Sequence, residues 1–426
     1  MEHIKRLAVI GCGQRGRDAY GGAVLQMPDR AKIVAIADPD PARRDWMARL
    51  HQIPEAFCFD SGEALLAQPK LADAVLVTTQ DQLHVRFAIP ALEKGYDVLM
   101  EKPVSPDLEE CQALLEVYRR TGRKVVVCHP MRYSPLYRQV KEILDSGILG
   151  RLITIQGIEN IGYWHFAHSY VRGNWRRTDE SSPMLLAKCC HDTDMLVWLT
   201  GKRCQSVSSM GQLTWFKEEN APEGAGMRCF NCAVQEQCPY DAEKMYLTRK
   251  DTGLLAGVSA WCSVLVPEPT EEKVRKALEE GPYGRCVYHC DNDVADNQVL
   301  NLQFEDGITV GYSASAFTDA IWGRYIRIMG SMGDMVIGGK EQYLIRVKPF
   351  GREEIVYDLR NMKSIYAGHG GGDLVLMSDF LDCLDGKVRE GISTLDESME
   401  GHFIAFAAEK SRLNGGQVVP MTDIRP

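Results

Sequence analysis

The feature that most constrains this chain is a glycine-rich turn close to its start. The apolar run Leu7–Ile10 leads directly into the motif GCGQRG, and a helical pattern follows over residues 17–27. A G-x-G-x-x-G turn between a strand and a helix lets the backbone approach a pyrophosphate closely, and the helix N-terminus offers free N–H groups to it. The turn therefore predicts a dinucleotide-binding unit. The residues predicted to contact the dinucleotide here are Gly11, Gly13, Gln14, Arg15 and Gly16.

An acidic residue ends the second predicted strand. Residues 32–37 form a β-rich run that stops at Asp38. A carboxylate at this place accepts hydrogen bonds from the ribose hydroxyls of NAD and repels the 2′-phosphate of NADP. The local sequence Ala-Asp-Pro-Asp-Pro would also explain Asp38 as a simple turn residue, but its register with the glycine motif favours ribose binding. Arg43 and Arg44 follow closely, so NAD is the predicted cofactor and NADP is the alternative.

The same alternation continues along the first domain. Residues 74–79 predict a buried strand, residues 85–94 a helix, and residues 97–100 another strand. Such alternation predicts a parallel sheet wound by right-handed crossovers, which binds ligands at the carboxyl ends of its strands. Thr78 and Thr79 follow one of these strands, and the sequence Glu101-Lys102-Pro103 follows the next. We therefore expect Lys102 to reach the crevice in which a nicotinamide would lie.

Length and composition limit the remaining possibilities. A chain of 426 residues predicts two domains, which we place at residues 1–128 and 129–426. The formal net charge of −9 disfavours nucleic acid and anionic membranes as partners. The sequence has no apolar run of membrane-spanning length, and its first residues do not form a signal-peptide pattern. Most of the 14 cysteines are scattered among apolar residues, which predicts a reducing, cytoplasmic location.

Taken together, these motifs resemble the Gfo/Idh/MocA family, named after glucose–fructose oxidoreductase, inositol dehydrogenase and a rhizopine-catabolism protein. The resemblance rests on the glycine turn, Asp38, the segment from Thr78-Thr79 to His84, and Glu101-Lys102-Pro103. It implies an α/β chain: a Rossmann domain with a doubly wound parallel sheet, then an α+β domain with a large, mostly antiparallel open sheet. It also implies homodimers or homotetramers formed through that sheet, and NAD(P)-linked oxidation of a sugar, polyol or sugar derivative. Thr78, Thr79, His84, Glu101 and Lys102 are then cofactor-site residues.

The predicted helix at residues 185–199 contains further residues of the family's catalytic motif. The family has D-x-G-x-H-x-x-D in this helix, and here the histidine and second aspartate match as His191 and Asp194. The first aspartate does not match, because Ala187 stands in its place beside Lys188. A neutral imidazole can accept a hydroxyl proton near physiological pH. We therefore predict Lys102 and His191 as the catalytic residues and Lys188 as a substrate contact; the alternative is a histidine that only packs.

Further site residues are predicted from their positions in loops. The resemblance places polar substrate contacts after the strand at residues 125–128 and a tryptophan–arginine pair near the cofactor. A glycine loop with one histidine, GHGGGD, precedes a helix beginning near Leu374, and such a loop can approach a ligand closely. For each residue the alternative is an ordinary structural role. The substrate candidates are His129, Arg132, Tyr133 and His369, and the cofactor candidates are Trp175 and Arg176.

A cysteine-containing insertion at about residues 217–246 predicts a metal site. Cys229, Cys232 and Cys238 have the spacing C-x2-C-x5-C, which suits three thiolate ligands of a structural zinc ion. A closed site needs a fourth ligand from elsewhere in the chain. The alternative is a set of free cysteines or a single disulfide. The candidates for the fourth ligand are Cys286, His289 and Cys290.

Three functions compete on this pattern. The first is a dehydrogenase that oxidises a secondary hydroxyl of a sugar, cyclitol or sugar derivative and passes a hydride to NAD. The second is a glycosidase that uses NAD for transient oxidation and elimination, which predicts no net NADH. The third is a non-enzymatic ligand sensor, which Lys102 and His191 disfavour because a sensor needs no reacting centre.

Overall fold

A computed structural model describes residues 4–259, 261–266, 268–319, 323–339, 341–362, 368–387 and 390–426. Within these ranges no helix has the length and apolar character needed to cross a membrane. The secondary structure forms two sheets, one from the first 127 residues and one from the later part of the chain.

The first sheet is parallel, and its described strands run in the order β3-β2-β1-β4-β5-β6. Strands β4 to β6 are almost entirely apolar and buried, as expected for a parallel sheet covered by helices on both faces. The strands are β1 Lys5–Ile10, β2 Ala31–Ala37, β3 Cys58–Phe59, β4 Ala74–Val77, β5 Asp97–Met100 and β6 Val125–Val127. The helices are α1 Gly22–Leu25, preceded by a π-helical stretch Arg15–Gly21, then α2 Pro41–His51, α3 Gly62–Ala67, α4 His84–Glu93 and α5 Leu108–Thr121.

Three motifs meet at one edge of this sheet. The strand order reverses between β1 and β4, which makes their carboxyl ends the place where such folds bind ligands. Backbone hydrogen bonds link the ends of the strands: the Thr78 N–H donates to the Ile10 carbonyl over 2.9 Å, and the Glu101 N–H donates to the Val77 carbonyl over 2.8 Å. The glycine turn, Thr78 and Glu101 are therefore neighbours, as the sequence predicted.

The second sheet is mostly antiparallel. Its described strands run in the order β14-β13-β12-β11-β7-β10-β9-β8-β15, and only β7 and β10 pair in parallel. The strands are β7 Leu152–Gly162, β8 Cys204–Gln212, β9 Asn297–Phe304, β10 Thr309–Thr318, β11 Gly323–Gly330, β12 Gly333–Gly338, β13 Glu341–Pro349, β14 Ile355–Asp358 and β15 Val419–Pro420.

Helices cover one face of this sheet. Two long helices, α8 and α12, pack together and share one hydrophobic core with the inward side chains of the sheet. Along β9 buried and exposed residues alternate, so the exposed side chains lie on the opposite face of the sheet. The helices are α6 Pro135–Asp145, α7 Tyr163–Phe166, α8 Met184–Thr200, α9 Cys262–Leu265, α10 Glu271–Glu280, α11 Gly372–Leu384 and α12 Leu395–Leu413.

The segment between β8 and β9, residues 213–296, has a small core of its own. Residues from α9 and α10 pack there with Cys229 and Tyr246, and Trp164 of α7 joins the same core. The segment therefore lies against the short helix that follows β7, and it is larger than the cysteine-containing stretch alone.

The last third of the chain returns to the first sheet. Side chains of α11, among them Leu376 and Phe380, are buried in the same core as the residues of β1 and β4. The Val127 N–H donates to the Ser393 carbonyl over 2.8 Å. This return brings the Gly368–Gly371 loop, which immediately precedes α11, to the carboxyl edge of the parallel sheet.

Candidate active site

The glycine turn is tightly packed on two sides and open on a third. A side chain at Gly11 would lie 2.6 Å from the Thr78 carbonyl oxygen, and one at Gly16 would overlap the Gly11 carbonyl. Gly11 also has a φ of +99°, which favours glycine. A Cβ added at Gly13 would meet no atom within 4 Å. The open side at Gly13 is therefore the place where a pyrophosphate can approach the backbone.

Asp38 is held at the end of β2 by two backbone amides. Its Oδ2 accepts from the Cys12 N–H over 2.6 Å, and its Oδ1 accepts from the Asp40 N–H over 2.9 Å. Each carboxylate oxygen has a second lone pair that remains able to accept a ribose hydroxyl. Arg44 Nη1 donates to the carbonyl oxygen of Asp38 over 2.7 Å, which places a cation beside the carboxylate.

Thr78 and His84 connect the loops at this edge. The Thr78 hydroxyl donates to the Gly11 carbonyl over 2.6 Å and so supports the glycine turn. His84 is fully buried; its Nδ1 lies 2.6 Å from the Pro103 carbonyl oxygen and its Nε2 lies 3.1 Å from that of Thr79. Both residues hold loop backbone in place, while Thr79 is only half-buried.

Arg15 joins the glycine turn to two other parts of the chain. Its Nε donates to Glu101 over 2.6 Å, and its Nη2 donates to Asp373 over 2.7 Å and to the Tyr20 hydroxyl over 2.6 Å. Burial alone would raise the pKa of Glu101, but Arg15 and Lys102 outweigh this effect and lower it. The sequence analysis singled out neither Tyr20 nor Asp373 as a site residue.

Lys102 lies against the helix that carries His191. Lys102 Nζ donates to the carbonyl of Ala187 over 2.6 Å, and Ala187 lies one helical turn before His191 on α8. Burial and the charge of Lys102 hold the pKa of His191 well below its ordinary value. The His191 Nδ1 is buried and has no hydrogen-bond partner among the described residues.

Two further imidazoles face His191. The ring of His129 lies 5.7 Å from that of His191, and the ring of His369 lies 5.8 Å away on centroids. His369 in turn contacts Asp373, with Nδ1 3.0 Å from Oδ2. The structure therefore brings Lys102, His129, His191 and His369 into one cluster, although they come from four separate parts of the chain.

Lys188 lies in a buried charge network that the sequence did not indicate. Its Nζ is 3.5 Å from Glu159 on β7, and Arg324 on β11 contacts Glu159 at 3.2 Å and Asp192 at 2.7 Å. Burial lowers the pKa of Lys188, and Glu159 opposes that effect. The partners lie on different strands and a helix, so no local sequence pattern could have found them.

Arg132 and Tyr133 make contacts inside the protein rather than at the cleft. Arg132 donates twice to Asp194, with both distances 2.6 Å, and the side chains of this pair are 1% and 0% exposed. The Tyr133 hydroxyl lies 2.8 Å from the Ser393 hydroxyl. Arg132 Nη1 is buried and has no hydrogen-bond partner among the described residues. The predicted contact of these two residues with substrate stays a prediction.

The tryptophan–arginine pair is held by carboxylates. Trp175 Nε1 donates to Asp81 over 3.1 Å, and Asp81 also accepts from the Ser182 hydroxyl over 2.6 Å. Arg176 forms two hydrogen bonds to Asp291, at 2.9 and 3.1 Å, and these bonds lower the pKa of Asp291. Arg176 is thus tied to the segment between β8 and β9, and its predicted contact with the cofactor stays a prediction.

His165 is a neighbour of the cluster that the sequence did not single out. Its ring lies 4.9 Å from that of Trp261, which also contacts Trp164 at 4.8 Å. Burial, followed by the charge of Lys188, lowers the pKa of His165 well below its ordinary value. Trp261 belongs to the segment between β8 and β9, so that segment packs against an imidazole whose pKa Lys188 and Lys102 both lower.

The prediction of a zinc site is not supported. In the described ranges, no group of three or more His, Cys, Asp or Glu residues is arranged to hold a metal ion. The Cys229 sulfur instead accepts from the Arg172 guanidinium and from the Ala242 N–H, both over 3.4 Å, and the Cys232 sulfur accepts from the Gly226 N–H over 3.3 Å. All cysteines are free thiols, and the predicted ligands Cys238, Cys286, His289 and Cys290 complete no metal site.

Comparison with known proteins decides the family. The model of an oxidoreductase family with an NAD-binding Rossmann fold matches residues 5–129. The model of the C-terminal alpha/beta domain of the same family matches residues 141–421. The chain belongs to the Gfo/Idh/MocA oxidoreductase family. The resemblance and the fold class predicted from the sequence are confirmed.

The individual relatives share between 18% and 30% of their residues with this chain. The YteT protein of Bacillus subtilis is 25% identical over 400 residues, which cover 87% of each chain. The scyllo-inositol 2-dehydrogenase (NAD(+)) of the same organism is 30% identical over 213 residues, covering 50% of this chain but only 59% of that relative. An inositol dehydrogenase homolog of Azotobacter vinelandii, crystallised with NADH and myo-inositol, superposes with a TM-score of 0.69 at 18% identity, covering 99% of this chain and 98% of that one. This last likeness shows the fold alone.

Proposed function

We propose that this protein is an NAD-dependent dehydrogenase that oxidises a secondary hydroxyl group of a sugar, cyclitol or sugar derivative. The observation that carries the proposal is the convergence of Lys102, from the carboxyl end of β5, with His191 on α8. One group is a cation that can bind a hydroxyl oxygen, and the other is an imidazole that can take its proton. Relatives named as inositol dehydrogenases support a polyhydroxylated substrate.

The residues around the glycine turn fit a dinucleotide. The open side of Gly13 leaves room for the pyrophosphate, and the carboxylate of Asp38 stands where the ribose hydroxyls would be bound. Held there, NAD would supply the hydride acceptor that the oxidation needs. Asp38 favours NAD over NADP because a 2′-phosphate would meet its negative charge, although Arg44 beside it weakens the discrimination.

Lys102 and His191 act on the two atoms of the reacting hydroxyl group. The ammonium group of Lys102 binds the reacting hydroxyl oxygen and stabilises the negative charge that develops on it. His191 accepts the hydroxyl proton, and its lowered pKa keeps the imidazole neutral and able to do so near pH 7. Ala187 removes the carboxylate that would otherwise support the imidazolium, so the proton cannot be stabilised on His191 for long.

A second candidate is a glycosidase that oxidises, eliminates and reduces again without net change in NAD. The pair of His369 and Asp373 favours it, because elimination and water addition need an acid/base group besides His191. We rank it second because hydroxyl oxidation requires only Lys102 and His191, whereas the glycosidase route needs a further acid/base group.

We also propose that the chain forms homodimers or homotetramers through the open face of the second sheet. Strand register places four apolar side chains in one row across five strands, with Ser313 of β10 between the second and the third of them, and Met210 and Val299 are 59% and 50% exposed. Exposed apolar rows of this kind commonly mark interfaces. Light scattering of the purified protein measures the subunit count. The row consists of Met210, Val299, Ile158 and Tyr325.

The decisive experiment mixes purified protein and NAD with a panel of polyols, sugars and glycosides. Stoichiometric NADH supports the dehydrogenase, whereas released aglycone without net NADH supports the glycosidase. The variant Lys102→Met should lose about a hundredfold or more of the activity, while Lys202→Met, whose side chain pairs with Asp306 on the surface, should retain it. If the panel yields neither product with the unmodified protein, both enzymatic proposals fail.

A further inference from the structure

The loop before α11 places a second histidine, His369, close to His191. His369 adopts a left-handed backbone conformation, with φ of +50° and ψ of +42°, in the segment Gly368–Gly371. A positive φ is uncommon outside glycine, although asparagine, aspartate and histidine adopt it more often than other residues, and such conformations cluster at functional sites. The conformation directs the imidazole so that its ring lies 5.8 Å from that of His191.

A carboxylate holds this second histidine. Both oxygens of Asp373 lie within 3.2 Å of His369 Nδ1, and Arg15 holds the same carboxylate from the other side. Burial alone would raise the pKa of Asp373, but His369 and Arg15 outweigh it and keep the carboxyl group ionised. The carboxylate that α8 lacks at position 187 is thus present in the cluster, attached to a different imidazole.

The two imidazoles have opposite surroundings. His191 is 7% exposed, and the groups that disfavour its protonated form are Lys102 first, then the rings of His129 and His369, and last Arg324. His369 has an anionic partner and a side chain that is 32% exposed, so it has access to solvent. A proton on His191 is therefore poorly stabilised, whereas the ring of His369 lies between that imidazole, a carboxylate and solvent.

We propose that His369 is a second proton-transfer residue, which takes the substrate proton from His191 and releases it to solvent, with Asp373 as its positioning residue. This inference rests on the proposed dehydrogenase function. The O–H bond of the substrate breaks as the proton bonds to His191, while the carbon–hydrogen electron pair leaves with the hydride to NAD. The proton then passes to the ring nitrogen of His369 that faces away from Asp373, directly or through one water molecule. Water finally accepts it, and both imidazoles return to their starting state.

The experiment follows the proton and the hydride separately during the first turnover. NADH absorbance reports hydride transfer, and a pH indicator in weakly buffered solution reports proton release. The variant His369→Asn suits this test because asparagine tolerates the left-handed conformation and cannot carry a proton. We expect proton release to slow by about tenfold to a hundredfold and turnover to fall with it, while NAD affinity and the thermal midpoint stay unchanged. Added imidazole should restore proton release.

A matched control is His51→Gln on α2, which should release protons at the unmodified rate. If His369→Asn releases protons as fast as the unmodified protein, or if imidazole does not restore the rate, His369 has no part in proton transfer and the inference is wrong. If the unmodified protein produces no NADH from any substrate in the panel, the proposed function itself fails and takes this inference with it. The two failures are distinguished by the NADH signal of the unmodified protein.

Discussion

The pair formed by Arg132 and Asp194 offers a sharp test, because the sequence indicated a substrate contact and the structure shows a buried ion pair. Replacing Arg132 by Met removes two hydrogen bonds of 2.6 Å and leaves the carboxylate of Asp194 unpaired in a site with 0% exposure. Breaking one side of a buried pair of this kind costs about 3–5 kcal/mol of unfolding free energy. For a cooperative unit of about 250 residues, each kcal/mol lowers the thermal midpoint by roughly 2 °C.

We therefore expect the thermal midpoint of Arg132→Met to fall by roughly 6–10 °C in differential scanning calorimetry. The double variant Arg132→Met/Asp194→Leu should recover much of that loss, since no charge is left unpaired. The exposed pair of Arg120 and Glu93 provides a control, and Arg120→Met should leave the midpoint unchanged. If Arg132→Met keeps the midpoint but raises the KM for the substrate, Arg132 contacts substrate and our interpretation of the pair is wrong.

Three other predictions follow from the same contacts. Gly13→Ala should keep the thermal midpoint, because the added methyl group meets no atom, but should weaken NAD binding at least tenfold in a calorimetric titration; unchanged affinity would contradict the pyrophosphate site. Asp38→Ser should raise the affinity for NADP relative to NAD, and an unchanged ratio would refute the role of the carboxylate. Burial lowers the pKa of six histidines: five buried ones, among them His402 at about 4 and His168 at about 3, and the half-buried His51, also at about 4. Their unfolded pKa is about 6.5, so the stability they contribute is present above that pH and is lost as the pH falls toward 4, by up to about 1.4 kcal/mol per pH unit for each residue. Urea unfolding between pH 7.5 and pH 5 measures this loss, and a flat profile would contradict it. The five buried ones are His129, His165, His168, His191 and His402.

The local parts of the fold and the site were predictable because their signals are contiguous. Strand-forming runs, the glycine turn and the residues that directly follow each strand lie within a few positions of one another. A parallel sheet then leaves little freedom in where those strand ends meet. It could therefore be predicted that the glycine turn, Thr78 and Lys102 lie close together. The apolar spacing of residues 185–199 likewise predicted that His191 lies on a helix. The cysteine spacing was equally local, yet the metal site predicted from it is not supported among the described residues, because spacing alone does not bring the remaining ligands together.

The partners of the polar side chains were decided by tertiary structure. Arg132 meets a carboxylate 62 positions away, and Arg15 meets one 358 positions away. The physical reason is that burying a charge is costly unless a partner satisfies it, and that partner can come from any segment that the fold brings near. By itself the sequence determined a Rossmann domain that offers a lysine and a second domain that offers a histidine. Only the folded chain decided which arginine is structural and that a glycine loop near the C-terminus completes the cluster.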